Sequence, residues 1–380
     1  MYIKSLEIKN FRNYEDFSIE FDKNLNIIIG KNAQGKTNLI EAVFLSSIGK
    51  SFRTSKENDL IKFGEENAIV RVSAEKKVID TRVEIFIRKN FKKAIKKDGN
   101  TVRKTSELID NIIIVIFSPE DLKIVKDEPE KRRKFIDREL AQIKPSYYNC
   151  LSAYKKILMQ RNAYLKEDRV DDDILLIWDR QLVDYGSSLM KMRKEFIDKI
   201  NIFSGKIHDN ITNRKENLKI TYDSNIKFSV DEKEQREIFK NAMENSLSTD
   251  KKMRTTTRGP HKDDMSFFIN SVNVRNFGSQ GQQRTCALSL KLAELDFIKE
   301  ETGEKGILLL DDVMSELDEE RRNYLIRSLK ENQIFVTATD LDQNLVNNYS
   351  SAKVIEISNG CGTNCALVND VRPNLSKRKR

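Results

Sequence analysis

The stretch Gly30-Lys31-Asn32-Ala33-Gln34-Gly35-Lys36-Thr37 fits G-x-x-x-x-G-K-[ST], and no other feature limits the fold as strongly. Such a loop cradles phosphates only between a buried strand and a helix. Leu25-Asn26-Ile27-Ile28-Ile29 reads as that strand, and Thr37 to Leu45 carries apolar residues at helical spacing. The glycines let backbone N–H groups turn inward, and the following helix N-terminus favours an anion. Lys36 is then expected to reach the β/γ-phosphates and Thr37 to bind Mg²⁺, which makes this a nucleotide-binding chain.

Composition sets the remaining bounds. At 380 residues, two or three domains are expected. Charged residues make up 33% and the net charge is +9, which points to an extensive solvated surface and an acidic partner. No run approaches the ~18 apolar residues of a membrane span, and Met1-Tyr2-Ile3-Lys4 lacks the apolar core of a signal peptide. No membrane association and a cytoplasmic location are therefore expected. Only two histidines, His208 and His261, are present, which excludes a histidine-rich metal cluster. Cys361 and Cys365 lack a second pair to complete a zinc site and read as a reduced loop feature.

Taken in order, Tyr2–Ile8 and Phe17–Phe21 alternate as half-buried strands around the polar turn Asn10-Phe11-Arg12-Asn13-Tyr14. Ala68–Ser73 and Thr81–Arg88 continue the strand pattern, and Asp98-Gly99 marks a tight hairpin. Around it lie Arg88, Lys89, Lys92, Lys93, Lys96, Lys97, Arg103 and Lys104. Two readings stay open: an edge guarded by lysines, or a ribbon contacting nucleic-acid phosphates through Lys92, Lys93, Lys96 and Lys97. Ile112–Phe117 is apolar throughout and reads as a central strand, and Ser118-Pro119-Glu120-Asp121 as a helix start.

From about 126 to 252 the pattern turns charged and helical. Trp178, Leu182, Tyr185, Leu189, Met192, Phe196, Ile200 and Phe203 form a heptad-like seam. It fits either an antiparallel pair projecting as a short arm or an amphipathic helix on a globular lobe. Strand signals return at Met265–Ile269 and Ser271–Val274, before the turn Ser279-Gln280-Gly281-Gln282 opens a long helix, a second anion-favouring N-terminus. Gly306–Leu310 then ends in Asp311-Asp312. A buried strand ending in adjacent carboxylates is costly unless they pair or hold a metal. With a P-loop present, Asp311 is read as a Mg²⁺ ligand and Asp312 as the base that activates water. Ser315-Glu316-Leu317-Asp318 follows, and another apolar strand runs from Gln333 to Thr337.

In this order the motifs resemble ABC-type ATPase heads, and more narrowly the RecF family, relatives of the SMC proteins. Specific stretches are Asn10–Tyr14, Gly30–Thr37, Phe117–Leu122, Arg258–Asp264, Ser279–Arg284 and Leu310–Asp318. The resemblance implies an α/β fold: a mixed-sheet ATPase head of residues 1–125 and 255–370, a helical insert of 126–254, and a basic tail of 371–380. It further implies a weak, DNA-stimulated ATPase using ATP and Mg²⁺. ATP would drive a head-to-tail homodimer on double- or single-stranded DNA, acting with RecO and RecR to load recombinase at gaps. Gly30 to Thr37 and Arg12 would bind nucleotide, Ser279, Gln280, Gly281 and Gln282 would act in trans, and Asp318, Thr337 and Thr339 would serve as D-loop and switch. The pattern departs from transporters at Gln280, at Asp312 in place of glutamate, and in lacking a switch histidine and a clear Q-loop glutamine. A transporter-energising ATPase and an SMC-like chromosome protein are the competing functions.

Overall fold

The computed structural model of the chain describes residues 1–76, 79–329, 331–341, 343–358 and 361–369. The basic tail expected at 371–380 lies outside them. Two compact units emerge, Met1–Asp121 with the described residues from Ile298 onward, and Leu122–Phe297. The second unit thus begins at Leu122 rather than 126 and ends at Phe297 rather than 254. The physical reason is pairing: residues 264–269 form a strand against 218–223, and Arg132 forks onto Asp264 at 2.6 and 2.9 Å.

The first unit opens with β1 (Tyr2–Phe11), β2 (Tyr14–Glu20), β3 (Leu25–Ile29), α1 (Lys36–Ile48), β4 (Asn67–Lys76), β5 (Ile79–Arg88), β6 (Ala94–Lys97), β7 (Asn100–Thr101) and β8 (Ile114–Phe117). The second unit carries α2 (Pro129–Ile143), α3 (Pro145–Tyr164), α4 (Asp172–Ile211), β9 (Leu218–Asp223), α5 (Glu232–Met253), β10 (Asp264–Ile269), β11 (Val272–Asn273), α6 (Val274–Phe277) and most of α7 (Gln280–Thr302). The chain returns to the first unit through β12 (Ile307–Leu310), α8 (Glu319–Ser328), β13 (Ile334–Ala338), α9 (Gln343–Asn347), β14 (Ser351–Ser358) and β15 (Cys361–Asn369).

One sheet of the first unit is antiparallel, in the order β2-β1-β4-β5-β6-β7. Its alternating side chains, among them Leu6, Ile8, Val70, Val72, Val83 and Ile85, pack with Leu39, Ile40, Val43 and Phe44 of α1 in one apolar cluster. Each such fully buried side chain contributes about 1.5–3 kcal/mol. The other sheet runs β15-β14-β3-β13-β12-β8, and β14, β3, β13, β12 and β8 are mutually parallel. Parallel strands put their carboxyl ends on one edge, where ligands of open α/β sheets collect.

Four expectations need correction. β8 is buried on all four residues, but it closes the sheet beside β12 instead of sitting centrally. Apolarity reports burial on both faces, which covering helices can supply at an edge. Ser118–Asp121 opens only a single 3-10 turn, Asp121–Lys123, and not an α-helix: Asp121 accepts from both the N–H and the hydroxyl of Ser118, and α2 begins at Pro129. Cys361 and Cys365 lie in strand β15, not in a loop. On α4, Leu182, Leu189, Phe196 and Ile200 are buried, but so are Val183, Met190, Ile197, Ser204 and His208, while Tyr185 is exposed. The helix packs against α3, α5 and β9, so the globular-lobe reading holds and the projecting arm does not.

Candidate functional site

The phosphate loop leaves β3 and enters α1 through backbone that only special residues tolerate. Gly30 has φ 151° and Gly35 φ 115°, with Ala33 at 65°. A Cβ on Gly35 would sit 2.7 Å from Asn13 Nδ2, and one on Gly30 would strike the Ile357 carbonyl. Lys31, Asn32 and Ala33 are exposed, so the mouth of the loop is open. Lys36 is nearly fully buried and folds back over it, donating to the carbonyls of Gly30 (2.7 Å) and Lys31 (3.2 Å). The amine is therefore stored at the centre of the cradle by the loop's own backbone.

The aspartates reach the same edge from β12. Thr37 Oγ1 donates to Asp311 Oδ1 at 3.1 Å, and Thr337 Oγ1 at the end of β13 donates to the same oxygen at 2.9 Å. Thr337 also accepts from the Asp312 N–H at 2.8 Å, and Asp312 Oδ1 lies 3.3 Å away. Burial pushes the Asp311 carboxyl above the ordinary carboxylate range; the bonds from Thr337 and Thr37 pull the other way, and neighbouring Asp312 adds to the rise. Asp312 is partly exposed and held at φ 54°, a left-handed conformation costly for a residue with a side chain and one that recurs at functional sites.

Thr37 and Asp311 offer a hydroxyl and a carboxylate oxygen side by side. That donor set suits Mg²⁺, which takes one or two protein oxygens and completes its octahedron with phosphate and water. Among the described residues no group of three or more His, Cys, Asp or Glu gathers into a metal cage.

Behind the loop stands a support that sequence reasoning missed. Asn13 Nδ2 donates to the Gln34 carbonyl at 2.9 Å, its Oδ1 accepts from Asn38 at 2.8 Å, and Tyr14 OH donates to the Gly35 carbonyl at 3.0 Å. The tight β1–β2 turn thus clasps the P-loop. Arg12 in the same turn forks onto Glu41 of α1, both contacts 2.8 Å, and donates to the Asp59 carbonyl at 2.7 Å. Glu41 is fully buried and also meets Ser51 and Arg53. Arg12 therefore anchors the helix behind the cradle, and all three of its donor nitrogens are engaged there.

Asp318 caps α8, accepting from the Arg321 N–H at 3.0 Å, and Thr339 is exposed just past β13. In the basic hairpin, Lys97 pairs with Asn100 across the Asp98-Gly99 turn, as the sequence implies. Lys93 is ion-paired to Glu57, Lys97 points at the Glu107 carbonyl (3.4 Å), Lys96 lies 5.9 Å from the Phe86 ring centre, and Lys92 is exposed.

In the second unit, Ser279 and Gln282 form a reciprocal cap at the start of α7. The Gln282 N–H donates to Ser279 Oγ at 3.2 Å, and the Ser279 N–H donates to Gln282 Oε1 at 2.9 Å. Ser279 and Gln280 are exposed and Gly281 is half-buried. Arg258–Asp264 is a structural clasp. Pro260 O accepts from buried Arg193 at 2.6 Å, and His261 bonds Tyr154 OH at 2.7 Å and Thr256 O at 2.9 Å. Burial lowers the His261 pKa to about 4.

The RecF/RecN/SMC N terminal domain model matches residues 2–362. The "DNA replication and repair protein RecF" of Clostridium tetani (strain Massachusetts / E88) is 44% identical over 363 residues, covering 95% of this chain and 99% of that protein. The chain belongs to the RecF family. A solved RecF described as a recombination mediator protein with ATP in the RecFOR pathway superposes with a TM-score of 0.88 at 39% identity, covering 96% of this chain and 98% of that one. An Smc head bound to the C-winged helix domain of ScpA shares the fold alone, with a TM-score of 0.55 at 16% identity over 96% of each chain. RecF membership and the ATPase-head fold match what the motif order implies.

Proposed function

We propose that this RecF-family chain is an ATP-switched DNA-binding protein of recombinational repair. The observation that carries the reading is the Lys36–Thr37–Asp311–Asp312–Thr337 constellation at the carboxyl edge of the parallel sheet. Lys36 leaves its backbone carbonyls for the β/γ-phosphates, and the loop's N–H groups and the α1 N-terminus hold the anion. Thr37 and Asp311 would hold Mg²⁺, and the ion would supply charge neutralisation on the phosphates. Asp312 takes a proton from the attacking water; the water oxygen bonds to the γ-phosphorus and the bond to the bridging oxygen breaks, leaving ADP and phosphate. The short aspartate side chain suits slow turnover. The family reading adds that this ATPase is weak and stimulated by DNA.

The Ser279 turn supplies the second half of the site to a neighbouring copy. Two protomers pair head to tail, each P-loop facing the other copy's Ser279, and ATP joins them until its γ-phosphate is lost. DNA at gaps and junctions, RecO and RecR are the partners this family reading brings with it. Sedimentation with ATP and Mg²⁺ tests it. The parent chain dimerises, Ser279→Arg binds ATP normally yet stays monomeric, and Lys36→Ala binds ATP at least tenfold more weakly, as expected for losing one charge-assisted contact. An ATP-dependent dimer of Ser279→Arg would overturn the composite site.

A further inference from the structure

Outside the nucleotide cradle, one hydrogen-bonded chain leads to a proposed functional group from a buried histidine. His208, fully buried near the end of α4, places Nδ1 3.2 Å from Ser289 Oγ and Nε2 3.1 Å from Glu216 Oε2. The other oxygen of Glu216 accepts from Gln282 Nε2 at 2.9 Å. Gln282 then uses its carbonyl oxygen on the Ser279 N–H and its own N–H on Ser279 Oγ. Serine, histidine and glutamate in this order look like a hydrolytic triad, but the chemistry is absent: Ser289 is fully buried and donates to the Thr285 carbonyl at 2.8 Å. What the chain does instead is reach outward to the signature turn.

We propose that Glu216, held by His208, is a positioning residue of the signature turn, fixing the Gln282 amide that in turn sets the hydroxyl and N–H of Ser279. The inference rests on the reading of that turn as the half-site gripping a neighbouring copy's γ-phosphate. The turn by itself is exposed, and glutamine has three free side-chain torsions. Unanchored, Gln282 Oε1 would leave Ser279 N–H or rotate into the space a phosphate oxygen needs. Glu216 removes that freedom from the far side: it accepts the Nε2 protons, so the amide must present its oxygen to Ser279. It also explains a carboxylate next to a buried imidazole in a part of the chain that touches no other proposed site.

Isosteric changes test this without deleting volume. Glu216→Gln keeps one acceptor oxygen where the carboxylate has two: with its carbonyl toward His208 its NH2 meets the Gln282 NH2, and with its carbonyl toward Gln282 the carboxylate facing His208 is lost. Gln282→Glu sets two carboxylates face to face. Each alone is expected to lower ATP-dependent dimerisation and turnover by about tenfold, the loss typical of one charge-assisted hydrogen bond, with ATP affinity of the monomer unchanged. The double variant Glu216→Gln/Gln282→Glu restores an amide-to-carboxylate bond and is expected to recover most of the loss, because coupled residues are non-additive. Additive losses, an unchanged Glu216→Gln protein, or equal losses in monomer ATP affinity would each overturn the relay. Ser279→Arg is run alongside. If it still dimerises, the composite site fails. If it does not dimerise while Glu216→Gln behaves as the parent, the relay alone fails.

Discussion

Asp311 carries two opposing demands. In its proposed role it would be ionised to hold a divalent cation, yet burial raises its pKa above the usual 3.8. The sign of the linkage follows: a carboxyl raised in the folded state favours the protonated fold, so it subtracts stability as pH climbs through the interval above 3.8. Asp311→Asn should therefore raise the melting temperature of the nucleotide-free protein while abolishing Mg²⁺-dependent turnover, a combination read by calorimetry beside an ATPase assay. Asp312→Asn keeps volume and hydrogen bonding and should cut turnover about a hundredfold, within the range for losing a general base, while ATP stays bound. His261 works in the other direction. Its pKa falls from 6.5 to about 4, so the fold is fully supported above 6.5 and loses support as pH drops toward 4. The span corresponds to about 3 kcal/mol. Denaturant titrations of His261→Gln should show a flatter pH dependence across that window than the parent protein.

Among the elements, the β1–β2 turn clasps the loop and α1 together. Removing Arg12 leaves Glu41 buried with only Arg53 and Ser51, and breaking a buried pair costs about 3–5 kcal/mol. Arg12→Ala should lose stability of that order and weaken ATP binding with it. Adding Glu41→Gln should return most of both, since the uncompensated charge is gone. If stability returns and affinity does not, Arg12 touches nucleotide directly. Glycine spacing and the paired aspartates were legible because each motif is contiguous and its chemistry is local. The clasp was not: Asn13 meets Gln34 and Tyr14 meets Gly35 across 21 residues of chain, and a polar turn does not announce its partner. Thr337 was singled out as a switch residue, but the tie its buried hydroxyl makes to both aspartates was not legible, because the two strands are distant in sequence and pair only in the fold. The edge position of β8 was hidden for a different reason, because an all-apolar strand reports burial and not order.

For the molecule as a whole, the net charge of +9 is the term through which the proposed function would favour DNA. Binding dominated by phosphate contacts falls steeply with salt. Within the hairpin, Lys93 is already paired with Glu57. Reversing Lys92 and Lys96 should flatten the log–log salt slope by about 2 if both touch phosphates. Reversing Lys93 should instead cost stability, by about 1 kcal/mol at most. An unchanged slope in fluorescence anisotropy would assign the ribbon to edge protection. Two units were foreseeable from the change of composition near 126. Their return point was not, because β10 belongs by pairing to β9 and not by pattern to the strands of the first unit.

The P-loop strand has one more consequence. β3 is residue 25 to 29, yet its two hydrogen-bonding neighbours are β13 and β14, at 334–338 and 352–356. A chain emerging from a ribosome therefore carries the P-loop strand without either of its strand partners until β13 and β14 are made. The intervening unit, Leu122–Phe297, is contiguous and can close on itself first. This inverts the usual N-terminal-first order. The loop closure that remains is among the longest a chain of this size can make, which slows the step. Truncation before β13 should therefore weaken nucleotide binding although every residue of the motif has been synthesised, an outcome that nucleotide titration of the truncated protein would read.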